Sequence, residues 1–114
     1  MYTVIFEERV YQKIYRYIDV YRMKYLELYN DTGLWYAEDI IKSQYIVNAD
    51  MLTDAFVDGI YDTMHEREIL WYSTNWDMSR ITTISLGSRR LFITYRENNQ
   101  NMTREVMDIE IYRK

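Results

Sequence analysis

The chain of 114 residues contains no cysteine, which excludes a disulfide framework, a thiolate metal site and a cysteine nucleophile. Histidine occurs once, as His65 among Glu66, Arg67 and Glu68. A lone histidine in so polar a setting is a weak candidate for a general base. The three glycines, Gly33, Gly59 and Gly87, are scattered and form no phosphate-cradling loop, and no serine motif supports Ser/His/Asp catalysis. No apolar run approaches the roughly 18 residues that span a bilayer. The opening Met1-Tyr2-Thr3-Val4-Ile5-Phe6-Glu7-Glu8 has no basic leader, and its apolar run is too short for a signal peptide. The expectation is a cytoplasmic protein, without membrane segments, cofactor or metal.

What the chain does have is tyrosine, 13 in all. A phenol buries much area at low rotamer cost and keeps a polar tip, so it suits cores and wet interfaces alike. Hydrophobic content of 48% and charged content of 28% are those of an ordinary globular protein. The length fits a single domain, residues 1–114, with one two-layer core. Charge is unevenly spread. Residues 1–78 hold 7 Lys/Arg against 14 Asp/Glu, whereas residues 79–114 hold 7 against 4. That asymmetry points to an anionic target or partner near one end.

Thr3 to Phe6 reads as a strand. From about Glu7 to Tyr29, Val10, Ile14, Ile18, Tyr21, Tyr25 and Leu28 recur at steps of three and four and predict a helix. Asn30-Asp31-Thr32-Gly33 breaks it. Leu34, Ala37, Ile41 and Tyr45 form a second amphipathic segment. Asn48 or Asp50 starts a third, with Leu52, Ala55, Phe56, Ile60 and Met64 on its apolar side. Trp35 to Met64 is one bent helix or two. Ser73 to Asp77 reads as a loop, and Leu70-Trp71-Tyr72 as a further strand or the end of the last helix. Strands follow over Ile81–Leu86 and Leu91–Arg96, joined by Gly87-Ser88, and then over Val106–Tyr112, after an asparagine-rich connection from Glu97 to Thr103. In the last strand Met107, Ile109 and Ile111 face one way, and Val106, Asp108, Glu110 and Tyr112 the other. The expected fold is α+β: an N-terminal strand, and two or three helices on one face of a largely antiparallel sheet formed with a C-terminal meander.

The run Arg89-Arg90-Leu91-Phe92-Ile93-Thr94-Tyr95-Arg96 is the first candidate site. With Leu91, Ile93 and Tyr95 under the helices, Arg90, Phe92, Thr94 and Arg96 share the open face. Guanidiniums flanking an aromatic there suit a phosphate and a stacked base. Alternatively, Asp108 and Glu110 of the next strand neutralise those arginines.

A short first strand, a helical hairpin and a terminal meander carrying Leu86-Gly87-Ser88-Arg89-Arg90-Leu91-Phe92-Ile93-Thr94-Tyr95, ending in Tyr112-Arg113, resemble the RelE/ParE toxins of bacterial type II toxin–antitoxin systems. The resemblance implies a growth-inhibiting protein neutralised by a cognate antitoxin, in a hetero-oligomer or a homo-oligomer. It leaves the activity open. RelE-like members cleave messenger RNA on the ribosome. That mode would cast Arg90, Arg113, Tyr112 and Tyr95 as the catalytic group and Arg89, Phe92 and Arg96 as target-binding residues. ParE-like members poison DNA gyrase without a catalytic set of their own. The net charge of −4 and the acidic residues beside Arg90 favour a protein target over RNA, since polyanion binding needs a basic face.

A second candidate is the line Asp50, Asp54, Asp58, Asp62 and Glu66. On a helix these steps of four make a slowly winding acidic ridge. Like charges at that spacing cost about 0.2–0.5 kcal/mol per pair, so the ridge suits a basic partner, or serves as a solvated face opposite Phe56 and Ile60. Its carboxylates do not converge as metal ligands must. The competing function is thus a non-enzymatic inhibitor or adaptor that meets a basic partner.

Overall fold

A computed structural model describes residues 1–19, 49–86 and 89–113, with the backbone alone at 49–52 and 113. The predicted segment from Leu34 to Tyr45, the second half of the first helix and the Gly87-Ser88 turn lie outside the described residues. Strand β1 (Thr3–Phe6) leads directly into helix α1, which occupies residues 8–19. Helix α2 (Ala49–Met64) is followed by β2 (Ser73–Thr74), β3 (Arg80–Leu86), β4 (Arg89–Asn98) and β5 (Thr103–Arg113). The five strands form one sheet in the order β1-β5-β4-β3-β2.

Successive strands β2 to β5 pair antiparallel, while β1 lies parallel to β5 with Thr3 opposite Thr103 and Phe6 opposite Val106. A parallel neighbour cannot be joined by a tight turn, and here the chain passes through the helical part and then β2, β3 and β4 before β5 returns beside β1. This α+β arrangement, with helices packed on a C-terminal meander, matches the sequence expectation.

The core forms where the three periodicities meet. Val10, Ile14 and Ile18 of α1 and Ile60 and Met64 of α2 are buried against Ile84, Leu91, Ile93, Tyr95, Val106 and Ile109 of the sheet. On α2 the buried side comprises Thr53, Ile60 and Met64, flanked by Phe56 and Val57. Ala55, expected on that side, is exposed.

The larger correction is in β5. Val106, expected outward, is fully buried, and it shares the inward face with Ile109. The cause is a bulge: Thr94 pairs with Asp108 but the next residue, Tyr95, pairs with Val106. Met107 is the extra residue, and it shifts the alternation by one position. Strand limits also run longer than expected. Glu97, Asn98 and Thr103 lie within strands, so the β4–β5 connection is only residues 99–102. There Asn98 Oδ1 accepts from the N–H groups of Gln100 and Asn101, at 2.9 and 3.3 Å, a local turn bond typical of asparagine. Ser73–Thr74, expected in a loop, pairs with β3, whereas Leu70–Tyr72 forms neither strand nor helix.

One buried cation ties α2 to the sheet. Arg104, only 2% exposed, donates to Glu97 Oε1 at 2.7 Å and to the carbonyls of Met64 at 2.7 Å, Arg67 at 3.0 Å and Glu66. Its guanidinium lies 3.7 Å from the centre of the Tyr2 ring. The last carbonyls of a helix lack partners of their own and carry partial negative charge. No basic residue occupies the last turn of α2, so β5 supplies the cation instead. Glu97 is shared with Arg80, whose Nη1 lies 2.9 Å from Oε2.

Candidate functional site

The helices cover one face of the sheet, and β4 runs through its centre. Strict alternation puts Arg89, Leu91, Ile93 and Tyr95 under the helices, and Arg90, Phe92, Thr94 and Arg96 on the opposite, open face. The predicted site residues are therefore divided between two environments. Arg89 is buried and donates from Nε to the Tyr17 hydroxyl of α1. Tyr95 is fully buried, and its hydroxyl has no well-formed hydrogen bond. Loss of solvent pushes its pKa up, against a smaller opposing influence from nearby Arg80. A raised pKa keeps this phenol protonated near neutrality and makes it a weaker proton donor. Its environment is that of a core residue.

On the open face the register assembles a different group. Arg90 stands opposite Tyr112 of β5 on one side and Ser85 of β3 on the other. Neither neighbour is acidic. Phe92 packs edge-on against Tyr112, with ring centres 5.4 Å apart, and against Tyr72, at 6.1 Å. An aromatic aisle thus crosses the sheet from Tyr72 through Phe92 to Tyr112, with Arg90 beside its end. Edge-to-face pairs of this kind stabilise by about 0.5–1.5 kcal/mol beyond the area they bury. Arg113 stands opposite Arg89 in backbone register; its side chain lies outside the described residues.

The carboxylates expected to neutralise the arginines have another partner. Lys13 reaches over the edge of the sheet from α1 and places Nζ 2.6 Å from Asp108 Oδ1 and 3.1 Å from Glu110 Oε1. Its pKa is raised, chiefly by the Asp108 hydrogen bond. For Asp108, loss of solvent is the largest single influence and works upward. The Lys13 bond, the Ile109 N–H and nearby charges together outweigh it and hold the carboxyl below its ordinary value. Arg96 pairs with Asp77, Nη2 to Oδ2 at 3.0 Å. Asp77 also accepts from the Ser79 hydroxyl and N–H, which are the main reasons its pKa is lowered. Arg90 alone of these cations has no hydrogen bond or ion pair among the described residues.

The sequence did not single out Lys13, Tyr72, Trp76 or Asp77. The turn around Asp77 is tightly bonded: Asn75 N–H donates to Ser79 O at 2.7 Å, and Met78 N–H to Asn75 O at 3.0 Å. Met78 adopts a left-handed φ of 67°, uncommon for a side chain of its kind. This turn holds Trp76 fully in solvent. Density of turn formers (Ser, Asn, Asp) around an aromatic was the available signal.

The acidic ridge is present in part. Asp54, Asp58 and Asp62 are exposed on α2, and Glu66 is exposed beyond the helix end. The Asp50 side chain lies outside the described residues. No group of three or more potential metal ligands occurs among the described residues, and no described helix is long and apolar enough to cross a membrane. Compared with known proteins, the chain matches no family model, no curated protein and no solved structure.

Proposed function

We propose that this chain is a growth-inhibiting toxin of the RelE/ParE kind, neutralised by a cognate antitoxin, and that its working surface is the open face of the sheet. The observation that carries the reading is the placement of Arg90 against Tyr112 and beside Phe92 on the exposed side of the central strand. The order of strand, helices and meander, with an arginine-bearing strand in the middle of the sheet, supports the same resemblance.

Within that reading a protein target such as gyrase fits better than messenger RNA. A phosphate chain binds by displacing counterions from a surplus of cations. On this face four carboxylates, Asp77, Glu105, Asp108 and Glu110, stand against four described cations, Arg9, Lys13, Arg90 and Arg96, which leaves no surplus of positive charge. The buried Tyr95, with its raised pKa, is badly placed for proton transfer to a ribose hydroxyl. Induced expression of the chain without its antitoxin should arrest bacterial growth, with gyrase-dependent DNA breaks and no ribosome-dependent cuts in messenger RNA. Unimpaired growth with abundant soluble protein would remove the proposal. RNA cuts that vanish in Arg90→Ala would replace the gyrase mode with the nuclease mode.

A second reading rests on the ridge. Asp54, Asp58 and Asp62 have no cationic partner among the described residues, as a docking surface for a basic segment requires. Charge reversal at Asp54 and Asp58 would then abolish complex formation and leave the fold intact, because solvent-face changes cost little stability.

A further inference from the structure

Strand β3 spans Arg80–Leu86, but its outer neighbour β2 covers only Arg80 and Ile81. The carbonyls of Ser79 and Ile81 accept from the N–H groups of Asn75 and Tyr72, so these odd-numbered residues turn their main-chain groups away from β4. Alternation aims Thr83 and Ser85 the same way. Among the described residues neither has a main-chain partner on that side. The chain before β2 does not cover this edge. Thr82, buried on the helix side, donates its hydroxyl to the Leu70 carbonyl, so the chain leaves the sheet plane there.

An open edge is a template for another strand, and proteins commonly blunt it with charge, proline or a bulge. From Ile81 to Leu86 this edge has no charged residue and no proline, and its register with β4 is unbroken. The opposite edge, β1, is shorter, and its start is held by the Tyr2 N–H bond to the His65 carbonyl at 2.9 Å.

The sequence of the edge selects its occupant. Thr82, Ile84 and Leu86 face the helix side, and the exposed hydroxyl residues Thr83 and Ser85 alternate with them. Turned about a two-fold axis at Ile84, the segment is complementary to itself. Thr83 then stands opposite Ser85 of a second copy with the main-chain groups of both facing, as a hydrogen-bonded antiparallel pair requires. Ile84 meets its own counterpart, and Leu86 of the second copy comes beside Leu70, which is 91% exposed in the single chain. Arg90, opposite Ser85 on β4, does not oppose the pairing. Three strand spacings, roughly 14 Å, separate it from its counterpart, beyond the screening length of about 8 Å at physiological salt.

We infer that β3 is the contact strand of a homodimer, pairing antiparallel with β3 of a second copy so that one sheet runs through both. A two-fold contact of this kind is closed and leaves β3 no edge for further growth. The inference does not depend on the toxin reading.

The test is sedimentation velocity of the intact protein across the micromolar range, beside Thr83→Lys/Ser85→Lys and Thr83→Glu/Ser85→Glu. Both positions are exposed, and circular dichroism checks each variant's fold. The intact protein should be a dimer. Each variant should dissociate about tenfold or more readily, because like charges then stand opposite one another. An equimolar mixture of the lysine and glutamate variants should dimerise again. Since the chain has no cysteine of its own, disulfide formation reads the register. A mixture of Thr83→Cys and Ser85→Cys chains should cross-link on mild oxidation, as the Cα atoms of a hydrogen-bonded pair stand about 5.5 Å apart. An intact protein that stays monomeric, lysine variants that dimerise as before, a mixture that stays monomeric, or no mixed cross-link overturns the inference.

Discussion

Lys13 Nζ lies 2.6 Å from Asp108 Oδ1, a contact between the first helix and the outward side of the last strand, made over the edge of the sheet. It joins parts of the chain 95 residues apart and engages the carboxylates that the sequence had offered to Arg90. Charge balance on the open face therefore depends on α1 as well as on the strands.

The pair also has a pH signature. The lowered pKa of Asp108 contributes stability above its unfolded value near 3.8, lost as pH falls through the folded value. The raised pKa of Lys13 contributes below 10.5, lost as pH rises through its folded value. Lys13→Met should therefore reduce stability in urea at neutral pH by about 0.5 kcal/mol, allowing for the partial exposure of both groups. The difference from the intact protein should close at pH well below 3.8. Equal urea midpoints at neutral pH would mean that the pair is energetically inert.

Arg104 should be the costliest position outside the hydrophobic core. Arg104→Met removes a buried charge from Glu97 and leaves carbonyls at the end of α2 without donors. Breaking a buried pair by removing one partner costs about 3–5 kcal/mol. Because Glu97 keeps Arg80, the lower end of that range is expected. Arg104→Lys should recover only part of it, since an ammonium cannot span the same acceptors. Urea unfolding of both variants checks the order, and a neutral Arg104→Met would refute the clamp.

Glu105 is a place to gain stability. Its pKa is raised, first by a hydrogen bond with Glu7, then by loss of solvent and by the charge on Glu7. A raised carboxyl pKa means that folding favours the protonated form, so stability falls as pH rises through the folded value. Glu105→Gln should raise Tm at neutral pH by about 1–2 °C, a modest gain for a half-buried group that solvent still screens. The gain should disappear below pH 4.5, where the glutamate itself is protonated. A lower Tm at neutral pH would show that the partnership with Arg96 across the strands outweighs the repulsion.

The fold class and the facing of β4 were legible because their signals are periodic and local. Val10, Ile14 and Ile18 keep helical spacing, and Leu91, Ile93 and Tyr95 keep strict alternation, so burial follows the pattern. β5 defeated the same reading. Val106 and Met107 are both apolar, and an extra residue between two apolar positions leaves no mark on the pattern. The pairing of β1 with β5 was illegible too, since it depends on a crossover and not on neighbouring residues. At the site, the open-face side chains of β4 could be listed from alternation alone. Their partners could not, because Lys13, Tyr72 and Asp77 arrive from other elements. Arg104 carried no signal either: the alternation that set Val106 outward set Arg104 outward with Asp108 and Glu110, and only the bulge at Met107 turns both inward.

We place the activity on the open face of the sheet rather than on the acidic ridge. Viable counts after induction test it most directly, comparing the intact chain with Arg90→Ala/Tyr112→Ala and with Asp54→Lys/Asp58→Lys at matched soluble levels. The intact chain should lose viability sharply on induction, and the ridge variant should lose it to the same extent without its antitoxin. The open-face variant should grow normally, because each change removes a group at the centre of the recognition surface. Growth restored by the ridge changes, with the open-face variant as toxic as the intact chain, would contradict it.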